Sequence, residues 1–577
     1  MAATTATATD NAEADGRAAP LTGPLAWLGD WRTVWVLTFA FVAVGFEAAI
    51  NCRYLHDEGL LTWHFAGILG RAPIAGFFFQ KLRPVLALVY APVAPLGFMA
   101  FSIVHLLVGA TAIPLTAALS RHFGHRLFAV PALVVASSPL MLVTAVAGHS
   151  NCDVAVGLLL GLYLLLVKRR SVLGGVVLGS LILVRSEIAP ILLAIAVERL
   201  WARDIRVLWG MAAVPLAYAL AGVPYHHDLL WIFHYPPTLM EPAPDTHWLE
   251  RGALVEKLEG TVLAIASLSP ATGLLLLLRP RALVRDERGL AVGLLLFLLM
   301  IRGFPLVGLF NFDTSPRYML AGLPALALII GRQSEDAREG RDGGWVSLLA
   351  LVAVAAFGLF TASADDPGVL LPAVALWAAV MGLARLRRNN LALALALWML
   401  VTVASWPLGR VHTRLLPRRA TLDELERWWV ERGPDSDTEV LSNVKIAKAW
   451  LEYRDLLPHP EHFHALLQHD TAYELDALFD HEVGQDQALL EAMDEHFYGR
   501  PVLEERDPLD WPEGTVVIFE NDGRLGDTID VQRWRRHLKI EVERGDGRLL
   551  IGRVIHDADS GWAGIEPPAA SEEGGQP

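Results

Sequence analysis

Apolar residues in this chain come in long unbroken runs rather than at the spacing of amphipathic helices or half-buried strands. The runs are Val34 to Ile50, one within Val85 to Leu119, Leu127 to Ala147, Val154 to Val167, Val172 to Val184, Ile188 to Leu200 and Val207 to Val223. Val262 to Leu278, Leu290 to Ile301, Tyr318 to Ile330, Val346 to Ala362, Val369 to Leu383 and Leu391 to Trp406 follow. A helix needs roughly 20 apolar residues to cross a bilayer. The pattern therefore predicts a polytopic α-helical membrane protein with about thirteen transmembrane helices, several short enough to merge with a neighbour.

The polar segments between the runs alternate in charge. One set carries SRHFGHR from Ser120, KRR from Lys168, RLWARDIR from Arg199, RPRALVRDER from Arg279 and RLRRNN from Arg385. The other set carries HDEG, GHSNCD from Gly148, VPYHHD from Val223, FNFDTSPRY from Phe310 and SADDPG from Ser363. Short cytoplasmic loops are rich in Lys and Arg, so the basic set is expected inside and the acid- and His-bearing set outside. With an odd number of spans, the amino terminus is then cytoplasmic and the carboxyl-terminal part extracytoplasmic.

From about Arg410 the pattern changes. Amphipathic helices are expected at Leu422 to Arg432, Val444 to Arg454 and Asp486 to Phe497. A strand is expected at Thr515 to Phe519, and Ile540 to Val542 with Leu549 to Val554 reads as a hairpin around Gly545-Asp546-Gly547. The expected organisation is a disordered cytoplasmic tail over 1–30, a transmembrane domain over 31–410, a soluble α/β domain over 411–566 and a disordered tail over 567–577. The first residues lack the basic start and apolar core of a signal peptide. Composition fits: 53% of the 577 residues are hydrophobic and 19% charged. A formal net charge of -14 gives no basic face for nucleic acid.

Ionisable residues avoid the middle of the runs and gather at their outer ends. Glu47, Asp57, Glu58, His149, Asp153, Arg185, Glu187, His226, His227, Asp228, Arg302, Asp313 and Arg317 all lie there. Charge near hydrocarbon is costly and normally faces a cavity, so an outward polar cavity is expected. The segment from Asn51 to Pro84 is its richest part: the acidic pair Asp57-Glu58, an amphipathic stretch with Trp63, Phe65 and Phe77 to Phe79, then Lys81 and Arg83. Carboxylates beside cations on an apolar platform suit chemistry on a lipid carrying phosphate. For each cation, plain anchoring at the interface is the alternative. His105, alone in an apolar run, reads as a hydrogen-bonded core residue, and the His459 to His481 stretch as a solvated face.

The acidic pair in HDEG, the RP of QKLRP, LVRSE after a short apolar run, and SPRYMLAGLPALALIIG together resemble the class C (GT-C fold) integral-membrane glycosyltransferases of bacteria. These include the protein O-mannosyltransferase, aminoarabinose transferase and lipopolysaccharide galacturonosyltransferase-like groups. The resemblance spans roughly Arg32 to Gly331. QKLRP departs from the KPP-type or HPP-type stretch of some relatives. The resemblance implies a sugar donor linked to polyprenyl phosphate, a lipid, glycan or protein acceptor outside the membrane, and a periplasmic carboxyl-terminal domain on a protein of the bacterial inner membrane. It also implies a loop-1 Asp, here Asp57, as catalytic residue.

The residues agree with that chemistry: a carboxylate takes the acceptor's proton, and cations hold the departing phosphate. The candidates are Asp57 and Glu58 for catalysis, and Lys81, Arg83, Arg185, Arg302, Arg317 and His149 for the phosphate. No cofactor is required. A divalent metal held by Asp153 with His149 and Asp57 is an alternative, since hard cations take carboxylate oxygens, although the spacing is no diagnostic metal motif. Cys52 and Cys152 fall at the same outer face, where a disulfide between them would persist. A transporter or flippase for a lipid-linked or anionic solute is the rival reading. It would be expected to show matching halves and mid-bilayer charges, and neither is seen. The expected topology has a direct check: alkaline phosphatase fused after Arg454 is active, and a cytoplasmic reporter at the same point is silent.

Overall fold

The computed structural model describes, with short gaps, residues 25–234, 316–338 and 421–467, a few residues near 297, and strand segments within 500–555. The expected runs Val262 to Leu278 and Val346 to Trp406, and the expected helix Asp486 to Phe497, lie outside the described residues.

Helix α1 (Trp31–Ile50) begins where the Asp30 carboxylate accepts the Arg32 N–H at 2.9 Å, which satisfies one orphan amide of the first turn. Two short helices, α2 (Asp57–Arg71) and α3 (Pro73–Phe78), fill the first connection, and α4 (Pro84–Tyr90) follows. Next come α5 (Phe98–Ala110), α6 (Ala112–His122), α7 (Ala129–Ala136) and α8 (Pro139–Ala147). Helix α9 (Ser150–Leu162) is prolonged by a π turn to Val167. Then follow α10 (Ser171–Ser180), α11 (Ala189–Trp201), α12 (Ile205–His226) and α13 (Trp231–His234). A 3-10 turn, Pro316–Gly322, leads into α14 (Leu323–Arg338).

Among the described residues four segments are long and apolar enough to cross a membrane: Trp31–Ile50, Phe98–His122, Ser150–Val167 and Ile205–His226. The run Leu127 to Ala147, expected as one span, is broken. Helices α7 and α8 meet at 60°, because Pro139 has no amide for the ladder and Ser138 restarts the helix by accepting the Met141 N–H. Helices α1 and α12 leave Trp35, Phe39, Trp209, Leu216 and Leu220 exposed. Such faces suit lipid.

Helices α10 and α12 pack backbone to backbone. A Cβ on Gly179 would lie 2.0 Å from the Met211 carbonyl oxygen, and one on Gly210 would lie 2.9 Å from the Gly175 Cα. Small residues at such crossings let membrane helices approach closely. This contact sets the short stretch between α10 and α11, which carries Arg185.

The carboxyl-terminal part contains a six-stranded sheet ordered β3-β2-β1-β4-β6-β5. Its strands are β1 (Val440–Ser442), β2 (Phe463–Leu467), β3 (Arg500–Leu503), β4 (Val516–Glu520), β5 (Ile540–Gly545) and β6 (Leu549–Val554). The first four run parallel, with Val440 opposite both Phe463 and Val516. The hairpin pairs antiparallel and joins through β6 to β4. Helices lie over 421–432 and at Ala447–Tyr453. The hairpin, β4 and these helices match expectation, whereas β1, β2 and β3 were not anticipated. His464, expected on a solvated face, is buried within β2 and hydrogen-bonded to Glu439.

A side chain at Gly179 must push α10 off α12. Gly179→Val is expected to destabilise by about 1–3 kcal/mol or more, read as a lowered Tm in detergent. Gly67→Ala, whose Cβ meets nothing within 4 Å, serves as the tolerated control.

Candidate active site

The first turn of α2 and the first turn of α9 touch. A Cβ on Gly59 would lie 1.6 Å from the Ala147 carbonyl oxygen, so only glycine lets α2 press on the end of α8. Gly148, at φ +81°, turns the chain there from α8 into α9. This contact carries Glu58 into the midst of His149, Ser150 and Asn151.

The Glu58 side chain is 8% exposed. Its Oε1 accepts from Arg185 Nη1 at 2.7 Å, Ser150 Oγ at 2.8 Å and Arg83 Nη1 at 3.1 Å. Its Oε2 lies 3.3 Å from His149 Nδ1 and 3.4 Å from Arg317 Nη1. Ser150 Oγ in turn accepts from Arg83 Nη1 at 2.7 Å and Arg185 Nη1 at 2.9 Å. Arg185 also reaches Asn151 Oδ1 at 3.3 Å and donates to Glu187 Oε1 through Nη2 at 2.7 Å. Its guanidinium sits 4.8 Å from the Tyr318 ring centroid, and that of Arg317 sits 5.4 Å from the same centroid. Three guanidiniums thus share one buried carboxylate. Burial opposes ionisation of Glu58, but Arg83, Arg185 and His149 outweigh it and hold its carboxyl well below the usual range.

The backbone aims these groups. Arg83 holds a left-handed conformation (φ 53°, ψ 67°) directly before Pro84, a conformation costing of order 1–3 kcal/mol for a non-glycine residue. Arg185 is extended (φ -154°, ψ 125°) at the break between α10 and α11. Arg317 lies on the 3-10 turn before α14. Helix α3 is fixed at the rim by Tyr218, whose hydroxyl donates to the Phe77 carbonyl at 3.0 Å, and by Gln80, which donates to the Ile232 carbonyl at 3.1 Å.

Of the residues expected from sequence, Glu58, Arg83, Arg185, Arg317 and His149 meet here. Asp57 opens α2 one residue before Glu58, and Lys81 lies in the turn Gln80–Leu82; the side chains of both, and Arg302 altogether, lie outside the described residues. Ser150, Asn151 and Tyr318 were missed. The polar run GHSN at the head of an apolar helix is the signal that marks the first two.

Asp153, considered as a metal ligand with His149, has both oxygens engaged by other helices. One of its oxygens accepts from the Tyr90 hydroxyl and the other pairs with His105 Nε2 at 2.9 Å. His149 precedes α9 with an extended backbone (φ -77°, ψ 129°), so it does not share the helical face of Asp153: it turns to Glu58, and Asp153 to α4 and α5. His105 Nδ1 donates to the Ala145 carbonyl at 2.7 Å, so this residue is the hydrogen-bonded core histidine expected. No group of three metal-ligating side chains occurs among the described residues. Cys152, one half of the possible disulfide with Cys52, has a free and buried thiol; a Cβ on Gly109 of α5 would lie 3.0 Å from its Sγ. Cys52 lies outside the described residues.

Comparison with known structures bears on the fold. ArnT from Cupriavidus metallidurans in the apo state superposes with a TM-score of 0.56 at 15% identity, over 91% of this chain and 98% of ArnT. The chain has the ArnT fold. ArnT bound to undecaprenyl phosphate superposes with a TM-score of 0.54 at 14% identity, over 90% of this chain and 97% of ArnT. No protein-family model and no curated protein sequence matches the chain. The GT-C architecture expected from the sequence motifs is therefore the one found, at the level of fold.

The depressed Glu58 value has a direct consequence for stability. A carboxyl lowered by folding contributes stability above its unfolded value, about 4.3, and loses it as pH falls through the lower folded value. The Tm difference between wild type and Glu58→Gln is expected to be constant from pH 6 to 8 and to shrink only below about pH 4.

Proposed function

We propose that this chain is an integral-membrane glycosyltransferase that moves one sugar from a polyprenyl phosphate donor to an acceptor hydroxyl outside the membrane. The observation that carries the reading is the cluster of Arg83, Arg185 and Arg317 at one end of a helical bundle with the ArnT fold. One ArnT structure holds undecaprenyl phosphate, the ligand class such a cluster suits. Guanidinium forks match phosphate oxygens in geometry as well as charge.

The three guanidiniums outnumber the carboxylates of Glu58 and Glu187 that they touch, so the cluster favours an anion such as the phosphodiester that joins sugar and lipid in the donor. In the reaction the acceptor oxygen bonds to the anomeric carbon as Asp57 takes its proton. The bond from that carbon to the phosphate oxygen breaks, its electron pair stays on the phosphate, and polyprenyl phosphate departs with added charge. Arg83 and Arg317 are the more exposed cations and meet the phosphate first; Arg185 stabilises the growing charge from beneath. Lys81 and Arg302 are assigned to the same phosphate by their sequence positions, and His149 to the rim. Asp57 rather than Glu58 is the base, because a carboxylate held by three arginines is a poor proton acceptor. The region 411–566, with its sheet, stands on the outer side, where the acceptor approaches.

The test is release of polyprenyl phosphate from a panel of labelled polyprenyl-phosphate sugars by the purified protein. Asp57→Asn keeps the shape and removes the basicity, so turnover is expected to fall by roughly two to four orders of magnitude. Near-normal turnover in a folded Asp57→Asn protein removes the base assignment, and no release with any donor removes the enzyme.

A further inference from the structure

We infer that Glu58 is the resident counter-anion of the arginine cluster, and that the phosphate of the lipid substrate binds by taking over Arg83 and Arg317 from it. The inference rests on the phosphate reading of the cluster and adds the exchange of one anion for another.

The geometry shows why an exchange is needed. Both Glu58 oxygens are engaged, Oε1 by Arg83, Arg185 and Ser150, and Oε2 by His149 and Arg317. A phosphate reaching the same guanidiniums must compete with that carboxylate, because two anions side by side repel in a low-dielectric site. The contacts are graded in a way that permits partial surrender. Arg185 holds Glu58 at 2.7 Å and is only 9% exposed, and its second carboxylate, Glu187, anchors it from behind. Arg83 and Arg317 hold Glu58 at 3.1 and 3.4 Å and are 24% and 19% exposed. The outer two are the more open to an incoming ligand, and the inner one is the more enclosed. Ser150 and His149 remain to Glu58 when the outer pair turns away, so the displaced carboxylate keeps hydrogen-bond partners.

The exchange has a functional consequence. When the sugar leaves, the product monoester carries more charge than the donor diester and would grip three arginines harder. A carboxylate tethered beside them on α2, at high local concentration, competes for the same guanidiniums and speeds product departure. Glu58 is thus a device against product inhibition, and it leaves the proton transfer to another group.

The experiment measures binding of a short-chain polyprenyl phosphate, and separately of inorganic phosphate, to the full chain in nanodiscs. Glu58→Gln is expected to bind polyprenyl phosphate at least about tenfold more tightly than wild type, with stronger product inhibition, because no resident anion competes. Glu58→Asp, which keeps the charge, is expected to stay near wild type. Should Glu58→Gln be unstable without ligand, the readout becomes the thermal shift on adding phosphate, expected to be larger in the variant than in wild type. Binding or thermal shift equal to or weaker than wild type overturns the inference, since it would make Glu58 an organiser of the arginines only. If inorganic phosphate follows the expected pattern and polyprenyl phosphate does not bind, the counter-anion role stands and the lipid reading falls.

Discussion

Gathering three guanidiniums at the end of a membrane bundle is the constraint the rest of the molecule answers to. Desolvated like charges repel, and breaking a buried ion network typically costs several kcal/mol. One carboxylate, Glu58, bridges the group, and the local backbone serves that contact. The glycine at position 59 brings α2 against the α8–α9 turn, Arg83 accepts a left-handed backbone, and Arg185 sits at a helix break. Each of these would be a liability in a protein with no need to hold an anion there. Strained or conflicting local choices of this kind cluster at functional sites.

Membrane character and the GT-C architecture were legible because they rest on long-range features: run length and the order of motifs. The site was half legible. Glu58, Arg83, Arg185, Arg317 and His149 could be named as polar residues at the ends of apolar runs, but their convergence on one oxygen pair depends on packing. Gly59 gives no sign in the sequence of how close Ala147 comes. Asp153 reads in the sequence as an available carboxylate at a helix head, and its engagement by Tyr90 and His105, from two other helices, depends on packing.

The carboxyl-terminal part shows the opposite weakness. The hairpin at Ile540 to Val554 was visible from its Gly-Asp-Gly turn and alternation. The parallel strands β1, β2 and β3 were not, because strands buried on both faces carry no alternation. Val440–Ser442 is only three residues long, and Phe463–Leu467 carries a histidine that reads as polar. Tertiary burial of His464 against Trp511, with ring centroids 5.2 Å apart, overrides that polarity.

The trio of Tyr90, His105 and Asp153 has a consequence for how the bundle breathes. The Ala145 carbonyl can only accept, so His105 Nδ1 carries a proton, and one further proton must lie between Nε2 and Asp153. With the Tyr90 hydroxyl donating to the other oxygen, this is a closed circuit, and His105 has no exposed surface. Its protons can trade with solvent only when α5 parts from α8 and α9. Deuterium exchange at this imidazole would therefore keep time for opening of the helical core as a unit, slow and cooperative, while the rim around α3 exchanges on its own faster clock.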